Sequence, residues 1–523
     1  IANNRSVKSL GVIGLSDFHG QLDPATLVFD NAINATVGGA GFLATMFDEE
    51  KANLPPGAPL LAGGDNVGAS PPNSGLLEDV PAIEVENAWP LDATSYGNHE
   101  FDYGLDRLLM HQDLAEFPFL ATNIVETATG EPPDWVDDVA VFRVNGVRVG
   151  VIGSALESTP ELVSAGATEG LTFLPSAEGI EAASQALTDQ GINVQVVVIH
   201  EGTAVGSNAV DGIPAVEWQG PIMEIAGELT DTSVDAMIAG HTHRVSNTYV
   251  GDILVTEGIN AGASYSVLQL MVSAGDVIWA GGQTRVAKTL GVASRPDVQA
   301  IVDQANSDTE ELRNQVVGTQ ANDVLRDLTR LHESEMGNMV TDAMLGKYPG
   351  IDAALTNSGG LRADLVCSPP SAGEADCEIT WGEVFAVLPF GNRTVIATYT
   401  GDQLTDAFEN GVSPFCNVAI ATGRFPQVSG LVLEFHCDGT TPVIDAISLA
   451  PDGPGGVLTP VGPTDTVRLV TNDFMFGGGD GYTVLAGGTD VLQPGDGLLE
   501  ITVDYITANS PVDPVVEGRI VGP

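Results

Sequence analysis

The sequence predicts an α/β protein, on three observations. Short runs of Val, Ile and Leu recur through roughly the first half of the chain, each closing on a Gly-rich turn. Ala-rich amphipathic stretches lie between them. Near residue 295 this alternation gives way to one long helical pattern, then to a tail of mixed strands, helices and Gly-rich loops.

The elements follow in order. "VKSLGVIGLS", "APLLAGG", "VRVGVIGS", "VQVVVIH", "VDAMIAG" and "DILVTEG" are near-continuously apolar, as buried strands are. A further strand is expected in "AWPLDATSY", ahead of "GNHE". "SAEGIEAASQALTDQG" reads as a helix between strands. "RPDVQAIVDQANSDTEELRNQVV" places Pro296 at a first helical position, followed by apolar residues at helical spacing. With the polar "GTQANDV" after it, this helix reads as a connector between domains. The tail opens with a helix, "ESEMGNMVTDAML", and continues with strands "RTVIATYT", "GLVLEFHC" and "TVRLVTN". A chain of 523 residues exceeds one ordinary core. The expected division is residues 1–292, a linker helix over 293–320, and an α+β domain over 321–523. The sequence contains no internal repeat or low-complexity block.

Charge narrows the partners. There are 70 acidic against 19 basic residues, a formal −51, which repels the phosphate backbone of nucleic acids and excludes a polymeric nucleic acid as main partner. A solvated acidic surface, such as a saline habitat favours, is the plain reading of that excess. No run of about 18 apolar residues occurs, so no transmembrane segment is encoded in this chain. The chain opens at Ile1 without a methionine or a signal-like apolar region, which reads as a processed or trimmed product. Its four cysteines, Cys367, Cys377, Cys416 and Cys437, form no CxxC pair. Proximity pairs Cys367 with Cys377 and Cys416 with Cys437, implying an oxidising compartment: secreted, periplasmic or cell-surface. Buried free thiols are the competing reading.

The chemistry is concentrated at strand ends. "SDFHG" places Asp17 and His19 after the first strand, and "GGDN" places Asp65 after the second. "GNHEFDYG" supplies Asn98, His99, Glu100 and Asp102; later strands run into His200 ("VVVIHEG") and into His241 and His243 ("AGHTH"). Each piece alone is more often a surface turn than a ligand set. Five of them, each beside a glycine at the carboxyl end of an apolar run, is the arrangement in which α/β sheets gather ligands. Imidazoles, carboxylates and an amide oxygen suit a pair of borderline divalent ions such as zinc or manganese. A central carboxylate can bridge such a pair.

Asp17-x-His19, Gly64-Asp65, Gly97-Asn98-His99-Glu100, His200 and Gly240-His241-x-His243 resemble the calcineurin-like metallophosphoesterases motif by motif. "GNHEFDYG" together with the second domain resembles the 5′-nucleotidase family, over nearly the whole chain. The resemblance implies a four-layered β-sandwich flanked by helices, then a substrate-binding α+β domain. It implies two divalent metal ions, one held by Asp17, His19 and His243, the other by Asn98, His200 and His241, with Asp65 between them. His99 is then no ligand but faces the transferring phosphoryl group, oriented by Asp102. Hydrolysis by direct attack of hydroxide generated at the metals is implied, without a covalent phosphoenzyme; no G-x-S-x-G elbow is present.

In the tail, "TNSGGLRADL" presents Asn357 and Arg362, "LPFGN" presents Phe390 and Asn392, and "NDFMFGGGDGYT" presents Phe474 and Asp480. Each is weak alone, since Gly-rich loops are common. By resemblance, Phe390 and Phe474 sandwich a nucleobase, Asp480 holds ribose hydroxyls, and Arg330 and Arg362 meet phosphates. Ser358 and Asp473 depart from the family's usual glycine and asparagine, and His332 has no assigned role. His111 and His436 read as satisfied core or surface histidines. The implied partners are nucleoside monophosphates or related small nucleotides. The implied activity is a 5′-nucleotidase, with 2′,3′-cyclic-nucleotide 2′-phosphodiesterase/3′-nucleotidase or UDP-sugar hydrolase as alternatives. A non-catalytic surface protein that binds nucleotide or metal is the remote one.

Overall fold

A computed structural model describes residues 7–29, 33–164, 166–207, 216–368, 374–417 and 422–523. Part of the "CSPPSAGEADC" segment, residues 369–373, lies outside the described residues. The chain divides into two compact units, the first ending at Asp308 and the second running from Thr309 to Pro523, with Glu161–Ala165 assigned to the second. The main boundary falls inside the helix Pro296–Arg313.

Two six-stranded sheets form the first unit. In chain order their strands are β1 Lys8–Leu15, β2 Leu60–Ala62, β3 Ala93–Ser95, β4 Phe119–Leu120, β5 Val139–Val144 and β6 Val147–Ser154. β7 Gln195–Ile199, β8 Val234–Ile238, β9 Ser246–Val250, β10 Ile253–Glu257, β11 Ser264–Ser273 and β12 Asp276–Val286 complete them. The first sheet has the order β12-β11-β1-β2-β3-β4 and the second β9-β10-β8-β7-β6-β5. Pairing is parallel through β1, β2, β3 and β4, and through β6, β7, β8 and β10. The β11–β12 hairpin closes the first sheet by running antiparallel along β1.

Strand alternation explains the layers. Val196 and Val198 of β7 face a core shared with Leu10, Val12, Leu61 and Leu268 of the other sheet. Val197 and Ile199 face the opposite way, against Ile180 and Leu187 of α1 (Ser176–Asp189) and Ile222 and Ala226 of α2 (Pro221–Glu228). With both faces covered, β7 is apolar throughout, as its sequence anticipates.

Two elements differ from expectation. In "AWPLDATSY" only Ala93–Ser95 is strand. Trp89 instead caps the helix Val80–Ala88, fully buried, with its indole N–H donating to Ala40 O at 3.0 Å. The helix expected over 293–320 spans Pro296–Arg313, and Val316–Thr319 is a strand paired with Glu378–Thr380.

The second unit contains a five-stranded sheet in the order Pro426–Ser429, Ala353–Asn357, Thr466–Asn472, Thr394–Thr400, Thr489–Leu492. A four-stranded sheet is built on Leu431–Asp438 and Thr441–Leu449. Helix Gly401–Cys416 packs Leu404, Phe408 and Val412 into a core with Tyr399, Leu469 and Tyr482. It starts at a capping box in which Thr400 and Gln403 exchange side-chain and backbone hydrogen bonds. Cys416 is bonded to Cys437 and Cys367 to Cys377.

Two consequences for stability are measurable. Burial pushes the Asp235 carboxyl up to about 7, against a hydrogen bond from Gln195 N–H at 2.9 Å, with Asp276 adding to the rise. A carboxyl raised in the folded state contributes stability at low pH and loses it as pH climbs from the unfolded value near 4 to about 7. D235N keeps an acceptor but cannot ionise. Its thermal midpoint should therefore rise relative to wild type between pH 4 and pH 8; parallel curves in thermal unfolding would refute this. Second, a formal charge of −51 makes the folded state repel itself. Raising NaCl from 0.1 to 1 M shortens the screening length from about 10 to about 3 Å and should raise the midpoint by several degrees. A flat or falling midpoint would show that the acidity is already compensated.

Candidate metal centre

The carboxyl ends of β1, β2 and β3 in one sheet, and of β7 and β8 in the other, bring the chemistry-bearing residues together. Three groups have side-chain oxygens and ring nitrogens within 4.8 Å of one another: Asp17, His19 and His243; His19, Asp65 and His99; Asp65, His200 and His241. Asp65 is central. Its Oδ2 stands 3.0 Å from His200 Nε2, 3.8 Å from His19 Nε2 and 4.0 Å from His99 Nε2. His243 Nε2 lies 3.2 Å from His19 Nε2 and 3.5 Å from Asp17 Oδ1.

The turns that carry these residues are backbone-strained. Asp17, His19, Asp65, His241 and His243 all have φ between 50° and 72°, a left-handed region that non-glycine residues enter at a cost of order 1–3 kcal/mol each. Glycines make room beside them. Gly64 has φ +86°, and a Cβ there would lie 2.6 Å from Gly97 N and 2.9 Å from His200 Nδ1. A Cβ on Gly97 would strike Asp65 Oδ1. These are the glycines that the motifs carry beside their ligand types.

Backbone carbonyls fix the rings. A carbonyl only accepts, so His19 Nδ1–H donates to Gly68 O at 2.9 Å and His200 Nδ1–H donates to Gly63 O at 2.8 Å. Both rings thereby aim Nε2 at Asp65, the arrangement by which metal-ligating histidines are oriented. Burial, ahead of nearby charges, pulls His19 and His241 down to about 3, so both are neutral imidazoles. Burial also works against His200, but Asp65, with Asp17 and Glu100, outweighs it and pushes that ring up to about 10. The burial penalty on Asp17 and Asp65 is likewise outweighed by the surrounding imidazoles, which hold both below the usual carboxylate range.

The donors fit a cation. Among the described residues, Asp17 Oδ2 and Asn98 Oδ1 are buried and accept no hydrogen bond. Such atoms are costly unless something positive meets them. His99 is held differently: its Nδ1 is 2.8 Å from Asp102 Oδ2, and its N–H donates to Asp65 Oδ1 at 2.9 Å.

The sequence reading gave no role to the carboxylate of Glu100. It is buried and accepts from the N–H groups of Asp65 (3.0 Å), Asn66 (2.8 Å) and Gly97 (2.6 Å), tying two motif turns together. Burial, then the charge of Asp65, pushes it up to about 7. Glu257 and the carbonyls of Gly63 and Gly68 were also missed; only Glu257 left a trace, at the end of "DILVTEG". His111 is a core histidine, its Nε2–H donating to Glu78 O at 2.7 Å while its buried Nδ1 has no hydrogen-bond partner among the described residues, and exposed His436 pairs with Asp445.

In the second unit Asn357 Nδ2 donates to Asp480 Oδ2 at 2.7 Å. Arg330 and Asp480 both sit at φ 54°. Burial first, then the neighbouring Arg362 and Arg326, pulls the Arg330 guanidinium down to about 9. Arg362 lies over the Phe390 ring, 5.6 Å from its centroid. Phe474 packs against Gly479, where a Cβ would lie 2.4 Å from the ring. Asn392 is held by a neighbouring turn. It donates to Asp473 Oδ1 (3.1 Å), which also accepts the N–H of Phe474 (3.0 Å), so it braces that turn. His332 pairs with Asp327 at 3.0 Å.

Residues 316–487 match the family described as the 5′-nucleotidase C-terminal domain. A cell wall protein of Listeria monocytogenes is 31% identical over 90% of this chain and 64% of its own length. A trifunctional nucleotide phosphoesterase of Bacillus subtilis is 27% identical over 84% of this chain and 31% of its own. The chain thus spans less than two thirds of either relative. The crystal structure of a 5′-nucleotidase precursor from Thermus thermophilus superposes with a TM-score of 0.83 at 25% identity, covering 98% of this chain and 99% of that one. Fold and residue cluster together define the two-domain metallophosphoesterase class. Residues 316–487 thus form a 5′-nucleotidase C-terminal domain, and the chain as a whole is similar to a 5′-nucleotidase precursor.

Proposed function

We propose that this chain is an extracellular or envelope 5′-nucleotidase, a metal-dependent hydrolase that converts nucleoside 5′-monophosphates to nucleoside and phosphate. The observation that carries this reading is the convergence of Asp17, His19, Asp65, His200, His241 and His243 into overlapping donor groups. Asp17, His19 and His243 would hold one divalent ion, zinc or manganese, and Asn98, His200 and His241 a second, with Asp65 shared. When bound, such ions supply Lewis acidity toward phosphoryl oxygens and lower the pKa of water. His99, its Nδ1 against Asp102, would present a proton from Nε2 to a phosphoryl oxygen as charge builds there.

Residues 1–292 would carry this chemistry and residues 321–523 recognition of the nucleoside, joined by the segment 293–320. Arg330 and Arg362 suit phosphate oxygens. Phe390 and Phe474 would stack on the base, at about 1–3 kcal/mol each. Asp480, already accepting from Asn357, would take ribose hydroxyls. The two disulfides and the cell wall relative support a location outside the cytoplasm.

The test is phosphate release from AMP, 3′-AMP, 2′,3′-cyclic AMP and UDP-glucose, with Mn²⁺ or Zn²⁺ added and after chelation. AMP turnover that chelation abolishes is the expected result. A relative named as a trifunctional nucleotide phosphoesterase is a reason to test more than one phosphoester: turnover of the cyclic substrate or of UDP-glucose with AMP inert would transfer the assignment to those activities.

A further inference from the structure

Glu257 ends β10 and is 1% exposed. Its Oε1 accepts from Thr242 Oγ1 at 2.6 Å and from Arg244 N–H at 3.1 Å. Its Oε2 accepts from Thr203 N–H and Thr203 Oγ1, both at 3.2 Å. Thr242 stands between His241 and His243, and Thr203 closes the turn that begins at His200. One carboxylate thus grips both histidine-bearing turns. Gly202 shows how close those turns are: a Cβ there would lie 2.4 Å from Gly240 O and Thr242 Oγ1, and 2.9 Å from Glu257 Oε1.

We propose that Glu257 is a positioning residue that locks the His200 turn and the His241–His243 turn into one body, so that their rings are preset for a shared pair of ions. The proposal rests on reading those histidines as metal ligands. Its physical need is visible in the backbone. His241 and His243 sit at φ 72° and 57°, conformations that persist only where the surroundings over-determine them. Bonds to Thr242 and Arg244 supply that constraint from within the turn. A carboxyl group is required, because each of its two oxygens meets a backbone N–H. A glutamine offers one acceptor oxygen, and either orientation turns its NH₂ against the N–H of Arg244 or of Thr203.

The experiment is calorimetric titration of the chelator-stripped chain with Mn²⁺, alongside the thermal midpoint of the stripped protein. E257Q should bind Mn²⁺ ten- to a hundredfold more weakly, the range seen when partners of metal ligands are altered. T242V, which removes one of the four bonds, should weaken binding by a smaller factor. E50Q alters another buried glutamate, bonded to Tyr265 and Arg285. It should lower the midpoint and leave Mn²⁺ affinity unchanged. Equal affinity for E257Q and wild type overturns the proposal, as does an E50Q loss as large as that of E257Q. If E257Q fails to fold, T242V decides, and unchanged affinity there overturns it. A wild-type chain that binds no Mn²⁺ sinks the functional reading as well, whereas tight wild-type binding with an indifferent E257Q sinks only this inference.

Discussion

The D65N substitution is expected to lower phosphate release from AMP by more than about a hundredfold and to reduce bound metal from about two ions per chain toward one. The asymmetry comes from the donor sets. Without the Asp65 carboxylate, one side keeps Asp17 with His19 and His243, so an anion remains to offset a divalent charge. The other side keeps only Asn98, His200 and His241, all without a negative charge. Altering a mere partner of a metal ligand costs ten- to a hundredfold, so deleting the shared ligand should cost more. Fold loss is not the cause anticipated, because an asparagine oxygen can still accept the His99 N–H that Asp65 Oδ1 now holds at 2.9 Å. Asp65 is also the carboxylate that pairs with the buried His200 ring at 3.0 Å and holds it protonated, so D65N leaves that ring without its partner in the stripped protein. Its thermal midpoint without metal should therefore fall. Elemental analysis after dialysis, with the AMP assay, checks both parts. Two ions retained, with activity within tenfold of wild type, would remove Asp65 from the centre of the site.

Much of this site was legible because its residue types are scarce and punctuated. With eight histidines in 523 residues, placing five beside glycines at the ends of apolar runs is a pattern that local sequence can carry. The strands behind them were legible for the same local reason: β7 is buried on both faces, so its sequence shows no alternation. What sequence could not carry is pairing across long distances. That β1 is closed by a hairpin beginning at Ser264 depends on contacts more than 250 residues apart, invisible to any periodicity. Glu257 and the carbonyls of Gly63 and Gly68 belong to this class, since a carboxylate or backbone oxygen acquires its role only from what packs opposite it. Asn392 is a further case. Its place in "LPFGN" suggests a ligand-facing amide, and the partner that accepts from its Nδ2, Asp473, lies some 80 residues away, where local sequence could not point to it. "AWPLDATSY" misled through composition, because an apolar run bounded by a helix looks the same whether Trp89 caps the helix or enters the strand.

H99A should separate catalysis from metal binding, in contrast with D65N. His99 contributes no atom to either implied ligand set, and its ring is oriented by Asp102 at 2.8 Å. Removing the ring should leave close to two ions bound while kcat for AMP falls by about 10²–10⁴, the usual worth of a positioned proton donor. That fall corresponds to about 3–5 kcal/mol of lost transition-state stabilisation. KM should move far less, since the group acts on charge that develops only as the phosphoryl group transfers. D102N keeps the ring but replaces the carboxylate that fixes its orientation, so its loss should be smaller and in the same direction. The double variant H99A/D102N should be no worse than H99A alone, because Asp102 acts through the ring and has nothing left to orient. If the two losses instead multiply, Asp102 has an independent task and the paired reading of these residues is wrong. If H99A strips the metals as D65N is expected to, His99 is a ligand, and the group of His19, Asp65 and His99 would have to be reread as one of the two ion sites.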